Sequence, residues 1–353
     1  MTGAPFRRKY HPVAMAQPAA EAPHLIEPSQ QVSQVADDLW CLSCPVPFDV
    51  GSVNVYLLLG DPVTLLDTGT RLNFSVDDLF ELVRRTGIDP DSIQQLILSH
   101  RHIDHFGLGG AVKERVGCQV VSSSIDGPFM ADWQGMAVGS RDLFRRSGRA
   151  FGIPDDLFRV NEQWAKNILM MAESVKSDRL VKEGDIVVAG GRSLRVIECP
   201  GHTEGLVTFF DEASGVFLAN DHVLQHITPN PDVYDYDVDH LRSGLPDYID
   251  SLRKVRDLPV SVVLPGHGFE MTDLAGRVDE VLFHHEQRAD KIAGIVAEQP
   301  RNIFEVVNVV WPKLGERDAH LAVREIIGHI ILLEREGRVG HDWDGDVLVY
   351  RAV

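Results

Sequence analysis

A chain of 353 residues with a net charge of −18 and 44% hydrophobic residues can bury one large core or two medium ones. The acidic balance argues for a soluble protein and against a non-specific grip on nucleic acid or an anionic membrane. No apolar run reaches membrane-spanning length, and Arg7, Arg8 and Lys9 are not followed by the apolar stretch of a secretory signal, so the cytoplasm is the expected compartment. The four cysteines, Cys41, Cys44, Cys118 and Cys199, suit a reducing compartment. Cys41 and Cys44 have C-x-x-C spacing, but no second pair completes a zinc site, and they read as core thiols.

Residues 1–34 are rich in Pro, Ala and Gln without a sustained period, and read as an extended or disordered arm. From Val35 the pattern is β, with strands expected over 40–44, 54–59 and 63–66 and a turn at Gly60-Asp61-Pro62. Asp67-Thr68-Gly69 follows. A helix over 76–85 places Val76, Leu79, Phe80 and Val83 on one face, and Gly87 ends it. The apolar run Leu96-Ile97-Leu98 reads as a buried strand. It leads directly into Ser99-His100-Arg101-His102-Ile103-Asp104-His105-Phe106-Gly107.

Four ligand-type side chains within six positions at the end of a buried strand are costly to bury unless they bind something. Side chains 100 and 102 share a direction if strand geometry persists, and Asp104 and His105 fall where the chain turns. The alternative is a set of solvated loop histidines; the strand, the spacing and the following glycines oppose it. A helix over 108–116 and a strand over 119–121 come next. Residues 123–180 are mostly helical and carry Met130, Trp133, Met136, Phe144, Phe151, Phe158, Trp164, Met170 and Met171. They read as an insertion that caps the site, with plain core packing as the alternative.

The β pattern resumes over 185–188 and 194–198. Pro200-Gly201-His202 ends the second of these strands. A hairpin over 207–219 runs into Asn220-Asp221-His222, and a helix is expected over 241–255. The strand over 260–264 ends in Pro265-Gly266-His267-Gly268. Each lone Gly-His turn is weak evidence. With the first cluster they supply five histidines and two aspartates, the stock for two adjacent divalent ions. Helices over 276–298, 302–310 and 318–335, then a hairpin turning at Asp344-Gly345, suggest a winged-helix-like module over 276–353. Ten basic and fourteen acidic side chains there match DNA poorly, so the wing is expected to serve packing, dimerisation or a wall of the site.

His100-Arg-His102-Ile-Asp104-His105, with Gly201-His202, Asp221 and Pro265-Gly266-His267-Gly268, resembles the metallo-β-lactamase superfamily over roughly residues 35–275. The tail after 276 is less specifically similar to the C-terminal region of a β-lactamase-like hydrolase subgroup. The resemblance implies an α/β (α+β) fold, a four-layer αβ/βα sandwich with the metal site at one edge between two sheets. It implies that His100, His102 and His202 hold one metal, that Asp104, His105 and His267 hold the other, and that Asp221 bridges them. Asp67 would orient the metal loop from behind. The ions would be zinc, with iron or manganese as alternatives. Two nearby cations would lower the pKa of a bridging water, giving a metal-bound hydroxide near neutral pH, with Asp104 as the catalytic proton holder.

The expected activity is hydrolysis of an ester or thioester in a small-molecule substrate, as in the glyoxalase II-like members. Phosphodiester cleavage, lactone or β-lactam hydrolysis, iron-dependent sulfur oxygenation and a non-catalytic metal-binding role are the alternatives. His222, His226, Tyr234 and Tyr236 follow the bridging Asp and are candidates to meet substrate, the tyrosines as oxyanion donors. His284, His285, His320 and His329 carry no signal. Nucleic acid and membrane are not expected partners; a homodimer is compatible with the arm.

Overall fold

The computed structural model describes residues 31–315 and 318–353, and of residues 159–165 the backbone alone. Residues 1–30 of the expected arm, Arg317 and the side chain of Trp164 lie outside the described residues. The first sheet is built in chain order from Val32–Ala36 (β1), Leu39–Pro45 (β2), Ser52–Leu58 (β3), Thr64–Leu66 (β4), Gln95–Leu98 (β5), Gln119–Ser123 (β6) and Arg179–Val181 (β7). Strands β1 to β4 pair antiparallel, and β4 to β7 pair parallel.

Strand β1 takes in the end of the expected arm. Its short edge pattern carries little periodic signal, and pairing to β2, with Val32 opposite Leu42 and Gln34 opposite Trp40, supplies the order. Parallel strands need crossovers, here Val76–Arg85 (α1) before β5 and then Ile103–Phe106 (α2) and Gly109–Val116 (α3) before β6. Helix α1 begins at a capping box, in which the Ser75 hydroxyl accepts from the Asp78 N–H and the Asp78 carboxylate accepts from the Ser75 N–H. Asp126–Ala131 (α4), Trp133–Ser147 (α5) and Asp155–Met170 (α6) then separate β6 from β7.

Ile186–Ala189 (β8), Arg192–Glu198 (β9), Val207–Asp211 (β10) and Val216–Asn220 (β11) form the second sheet with a later strand. Between them come the short pair Val233–Asp235 (β12) and Arg242–Ser243 (β13), and Leu245–Val255 (α7). Val262–Pro265 (β14) then enters parallel to β11, giving the order β14-β11-β10-β9-β8.

Alternation along the strands explains the layering. Leu96 and Leu98 of β5 face α1 and α3 with Leu79, Phe80 and Val112, while Ile97 faces the second sheet. In that sheet Val196, Phe209 and Leu218 meet the first sheet. Their neighbours Ile197, Phe210 and Phe217 pack beneath α7 against Tyr248, Leu252 and Val255. Helices therefore cover both outer faces of two packed sheets. Arg192 ties the sheets at one end, its Nε donating to Asp38 at 2.9 Å and its Nη1 to Asp211 at 2.8 Å.

Leu274–Glu298 (α8), Ile303–Val310 (α9), Ala319–Arg335 (α10), Val339–Asp344 (β15) and Val347–Ala352 (β16) complete the chain. Their core, with Ile292, Val307, Ile326 and Tyr350, also takes in Phe151 and Ile153. The aromatic content of the insertion is thus divided. Met130, Trp133 and Met171 join the core of the first sheet, and Phe144 and Phe158 border the C-terminal helices. Those two rings, with Ile153, Leu157, Phe304 and Val323, line a narrow apolar cleft between insertion and tail. Among the described residues no helix is long and apolar enough to cross a membrane.

Candidate metal centre

Strand ends from both sheets meet at one edge. β5 delivers His100 and His102, and α2 adds Asp104 and His105 half a turn later. The loops after β9, β11 and β14 bring His202, Asp221 and His267. His100, Asp104, His105, Asp221 and His267 are buried, and His102 and His202 are half-buried. The seven fall into three overlapping groups: His100, His102 and His202; His100, His105 and Asp221; Asp104, His105 and His267.

Ring nitrogens turned away from the centre are held by oxygen acceptors, which fixes the tautomers. Asp67 Oδ2 accepts from Ser99 Oγ at 2.7 Å and from His105 Nδ1 at 2.8 Å. The single Ser99 hydroxyl proton is thereby used, so His100 Nδ1–H donates to Ser99 Oγ at 2.9 Å. The Asn230 carbonyl accepts from His202 Nδ1 at 2.9 Å, and the Ser52 carbonyl from His267 Nδ1 at 2.5 Å. Each of these four rings therefore turns its Nε2 toward the centre. His102 presents Nδ1, 2.8 Å from His202 Nε2 and 3.2 Å from His100 Nε2.

Asp221 Oδ2 sits between the groups. It is 3.2 Å from His202 Nε2, 3.3 Å from His105 Nε2 and from His267 Nε2, and 4.0 Å from His100 Nε2. Asp104 Oδ2 lies 3.4 Å from His267 Nε2. Burial raises both carboxyls, but the neighbouring imidazoles outweigh it: His267 and His105 hold Asp221 well below its usual range, and His105 and His267 bring Asp104 down to about 2. Burial holds His100 well below its usual value and, together with His202, brings His102 down to about 3. The same carboxylates outweigh burial at two of the rings, holding His105 well above its usual value and raising His267 to about 10. A divalent cation here would replace the protons these rings carry toward the carboxylates, and two ionised carboxylates among five imidazoles are the donor set such cations take. Two unpartnered buried atoms, His105 Nε2 and Asp221 Oδ1, point to the same need.

The surrounding loops are pinned by residues that the motif search does not single out. Asn54 Nδ2 donates to the Pro265 and Gly268 carbonyls at 2.9 Å each, and Tyr56 Oη to the Pro265 carbonyl at 2.7 Å, which seats the His267 turn on β3. Gly266 lies against the Asp221 carboxylate, where a Cβ would collide with Oδ1. Arg101 points away from the cluster. Its guanidinium donates to Asp126 at 3.1 Å and to Asp232 at 2.6 Å, and Arg324 of α10 reaches the other Asp232 oxygen at 3.2 Å. Asp232 and Asp126 are isolated in sequence, with no spacing signal; Arg101 lay in plain view between two candidate ligands.

The other expected residues are placed as follows. His226 is exposed on the loop after Asp221. Tyr234 is half-buried under Arg242, with its hydroxyl unpartnered. Tyr236 is buried in the C-terminal core, and its hydroxyl accepts from Arg324 Nε at 3.0 Å. His222 is buried with its ring against Tyr248. Cys41, Cys44, Cys118 and Cys199 are free thiols; burial pushes Cys41 up to about 12, which makes it inert.

Two facing sheets that bring five imidazoles and two carboxylates to a shared edge define a metal-dependent hydrolase. The chain belongs to the metallo-beta-lactamase superfamily, whose profile matches residues 48–267. It is 26% identical over 318 residues to a probable metallo-hydrolase, YqjP, of Bacillus subtilis, covering 90% of this chain and 98% of that protein. It is 26% identical over 224 residues to a hydroxyacylglutathione hydrolase of Chelativorans, covering 62% of this chain and 66% of the relative. A metallo-beta-lactamase family protein of Thermus thermophilus superposes with a TM-score of 0.77 at 25% identity, covering 91% of this chain and all of that one.

Proposed function

We propose that this metallo-hydrolase is dinuclear and cleaves an acyl ester or thioester of a small-molecule substrate. The observation that carries the dinuclear reading is Asp221 Oδ2, which lies within 3.3 Å of imidazole nitrogens from both ligand groups. His100, His102 and His202 would hold one ion, Asp104, His105 and His267 the other, and Asp221 both. Two divalent ions, zinc by the nitrogen and carboxylate donors, supply Lewis acidity toward the acyl oxygen and an activated water at neutral pH.

The chain's own part is orientation and proton handling. Asp67, Ser52 and Asn230 fix the ring directions through the hydrogen bonds described above. Asp104 stays ionised at neutral pH and is placed to take the water proton. A water oxygen bonds to the acyl carbon, the carbon–sulfur or carbon–oxygen bond breaks, and the leaving thiol or alcohol departs with the electron pair and a proton. The similarity to a hydroxyacylglutathione hydrolase supports an acyl thioester in particular.

The test is a panel of acyl thioesters, esters, lactones, β-lactams and phosphodiesters assayed with zinc-loaded and chelated protein. Zinc-dependent turnover of thioesters or esters is expected. Loaded protein that turns over only phosphodiesters or β-lactams, or nothing on the panel, overturns the acyl assignment. Metal analysis returning one ion per chain at this centre overturns the dinuclear one.

A further inference from the structure

Behind the centre, the long C-terminal helices bring together a second set of ligand-type side chains. His285 lies midway along α8, and Glu325 and His329 lie one turn apart on α10. Both imidazoles are fully buried and Glu325 is 4% exposed. Each residue offers one ligand atom, and the three atoms lie within 4.8 Å of one another.

The hydrogen bonds around this cluster are incomplete. The Glu325 main-chain carbonyl accepts from His329 Nδ1–H at 2.8 Å, so His329 Nε2 carries a lone pair. That nitrogen faces His285 Nδ1 at 3.3 Å, a long hydrogen bond that His285 Nδ1–H donates when no ion lies between the rings. Glu325 Oε1 has no hydrogen-bond partner. Arg288 Nη1 forms a long ion pair with Glu325 Oε1 at 3.9 Å but is too far to donate a hydrogen bond to it. Burial raises the Glu325 carboxyl even with Arg288 beside it, and a buried carboxyl oxygen that accepts no hydrogen bond is left for a ligand to complete. Burial lowers both histidines, His329 to about 3, so at neutral pH both are in the uncharged form that binds metal.

The spacing fits one ion. Two nitrogens bound tetrahedrally to zinc at about 2.05 Å sit roughly 3.3 Å apart, and the two facing imidazole nitrogens are 3.3 Å apart here. We propose that His285, Glu325 and His329 form a separate, structural site for a single divalent transition-metal ion, best matched by zinc. Its place explains its use. Tyr248 of α7 meets the His285 ring at 5.7 Å and the His222 ring at 5.5 Å, and its hydroxyl donates to the His222 carbonyl at 3.0 Å. An ion here locks α8 to α10 directly behind the loop that carries Asp221.

The experiment is diffraction at the zinc absorption edge from crystals of the full chain equilibrated with zinc chloride. An anomalous peak among His285, Glu325 and His329 is expected. Elemental analysis should give one ion fewer per chain in His329→Gln than in the parent protein. Absence of that peak overturns the proposal, whether or not the centre around Asp221 is filled; peaks at that centre bear only on the proposed function. If His329→Gln does not fold, the peak in the parent protein decides alone. Equal metal content in parent and folded variant also overturns the site.

Discussion

The Asp67 carboxylate lies 2.8 Å from His105 Nδ1 and at the same time accepts from the Ser99 N–H at 2.8 Å and the Ser99 hydroxyl at 2.7 Å. One side chain thus fixes the ends of β4 and β5 and aims an imidazole at the centre. It does so from a left-handed backbone, φ 65°, that Asp tolerates better than most residues. Asp67→Ala should lose roughly 10–100-fold in metal affinity or activity, as removal of an outer partner of a ligating histidine does. Competition for zinc against a chromophoric chelator measures this; an unchanged affinity in folded Asp67→Ala would show that His105 needs no such partner.

Gly266 offers a sharper steric test. Its backbone is open to any L residue, since its φ is not positive, yet an added Cβ would meet Asp221 Oδ1 and approach the His105 ring at 3.0 Å. The Asn220 backbone, whose carbonyl accepts from the Gly266 N–H at 2.8 Å, would lie 3.2 Å from that Cβ, tighter than most contacts, but needs to yield only tenths of an ångström. Gly266→Ala should therefore keep its fold and melting behaviour while metal content and turnover fall together. Full metal content in the variant would mean that the Asp221 carboxylate can move aside.

The seven ligand-type residues were legible because ligands must be His or Asp and must sit at strand ends, where a buried apolar run stops abruptly. Leu96-Ile97-Leu98 before His100, and Pro-Gly before His267, carry that signal locally. Helix α1 was legible because its apolar face at Val76, Leu79, Phe80 and Val83 and the Gly87 that ends it are local too, whereas the Ser75 capping box that starts it emerges only in the structure. Strand β7, by contrast, has only three residues and takes its place from β6 alone. The Asn230, Ser52 and Pro265 carbonyls belong to the backbone, so no residue type announces them. His285 and His329 are separated by 44 positions, and only the packing of α8 on α10 makes them neighbours.

Asp232 connects the metal loop to the C-terminal helices, because Arg101 and Arg324 bind its two oxygens. Burial raises its carboxyl, and Arg324 and Arg101 outweigh this, bringing it down to about 2. Removing one member of a buried charged set leaves the others uncompensated, at a cost of about 3 kcal/mol. Asp232→Ala should lower the urea unfolding free energy by roughly that amount. It should also weaken metal binding, since Arg101 stands between the two candidate ligands His100 and His102. A stability loss with unchanged metal affinity would confine Asp232 to docking α10.

The Arg192 clamp gives a pH dependence that is independent of metal. Burial raises the Asp211 carboxyl, but the Ser214 hydroxyl, the Ala213 N–H and Arg192 together hold it below its usual value. A carboxyl depressed in the folded state contributes stability that is fully present above its unfolded pKa, about 3.9. That contribution is lost as pH falls through the folded value. Asp211→Asn should therefore be less stable than the parent by about 2 kcal/mol at pH 7. The gap should close progressively below about pH 4. Urea titrations of both proteins from pH 7 to pH 3, with metal removed from each, measure it; a gap that stays constant across the range would mean that Asp211 acts through shape and not through charge.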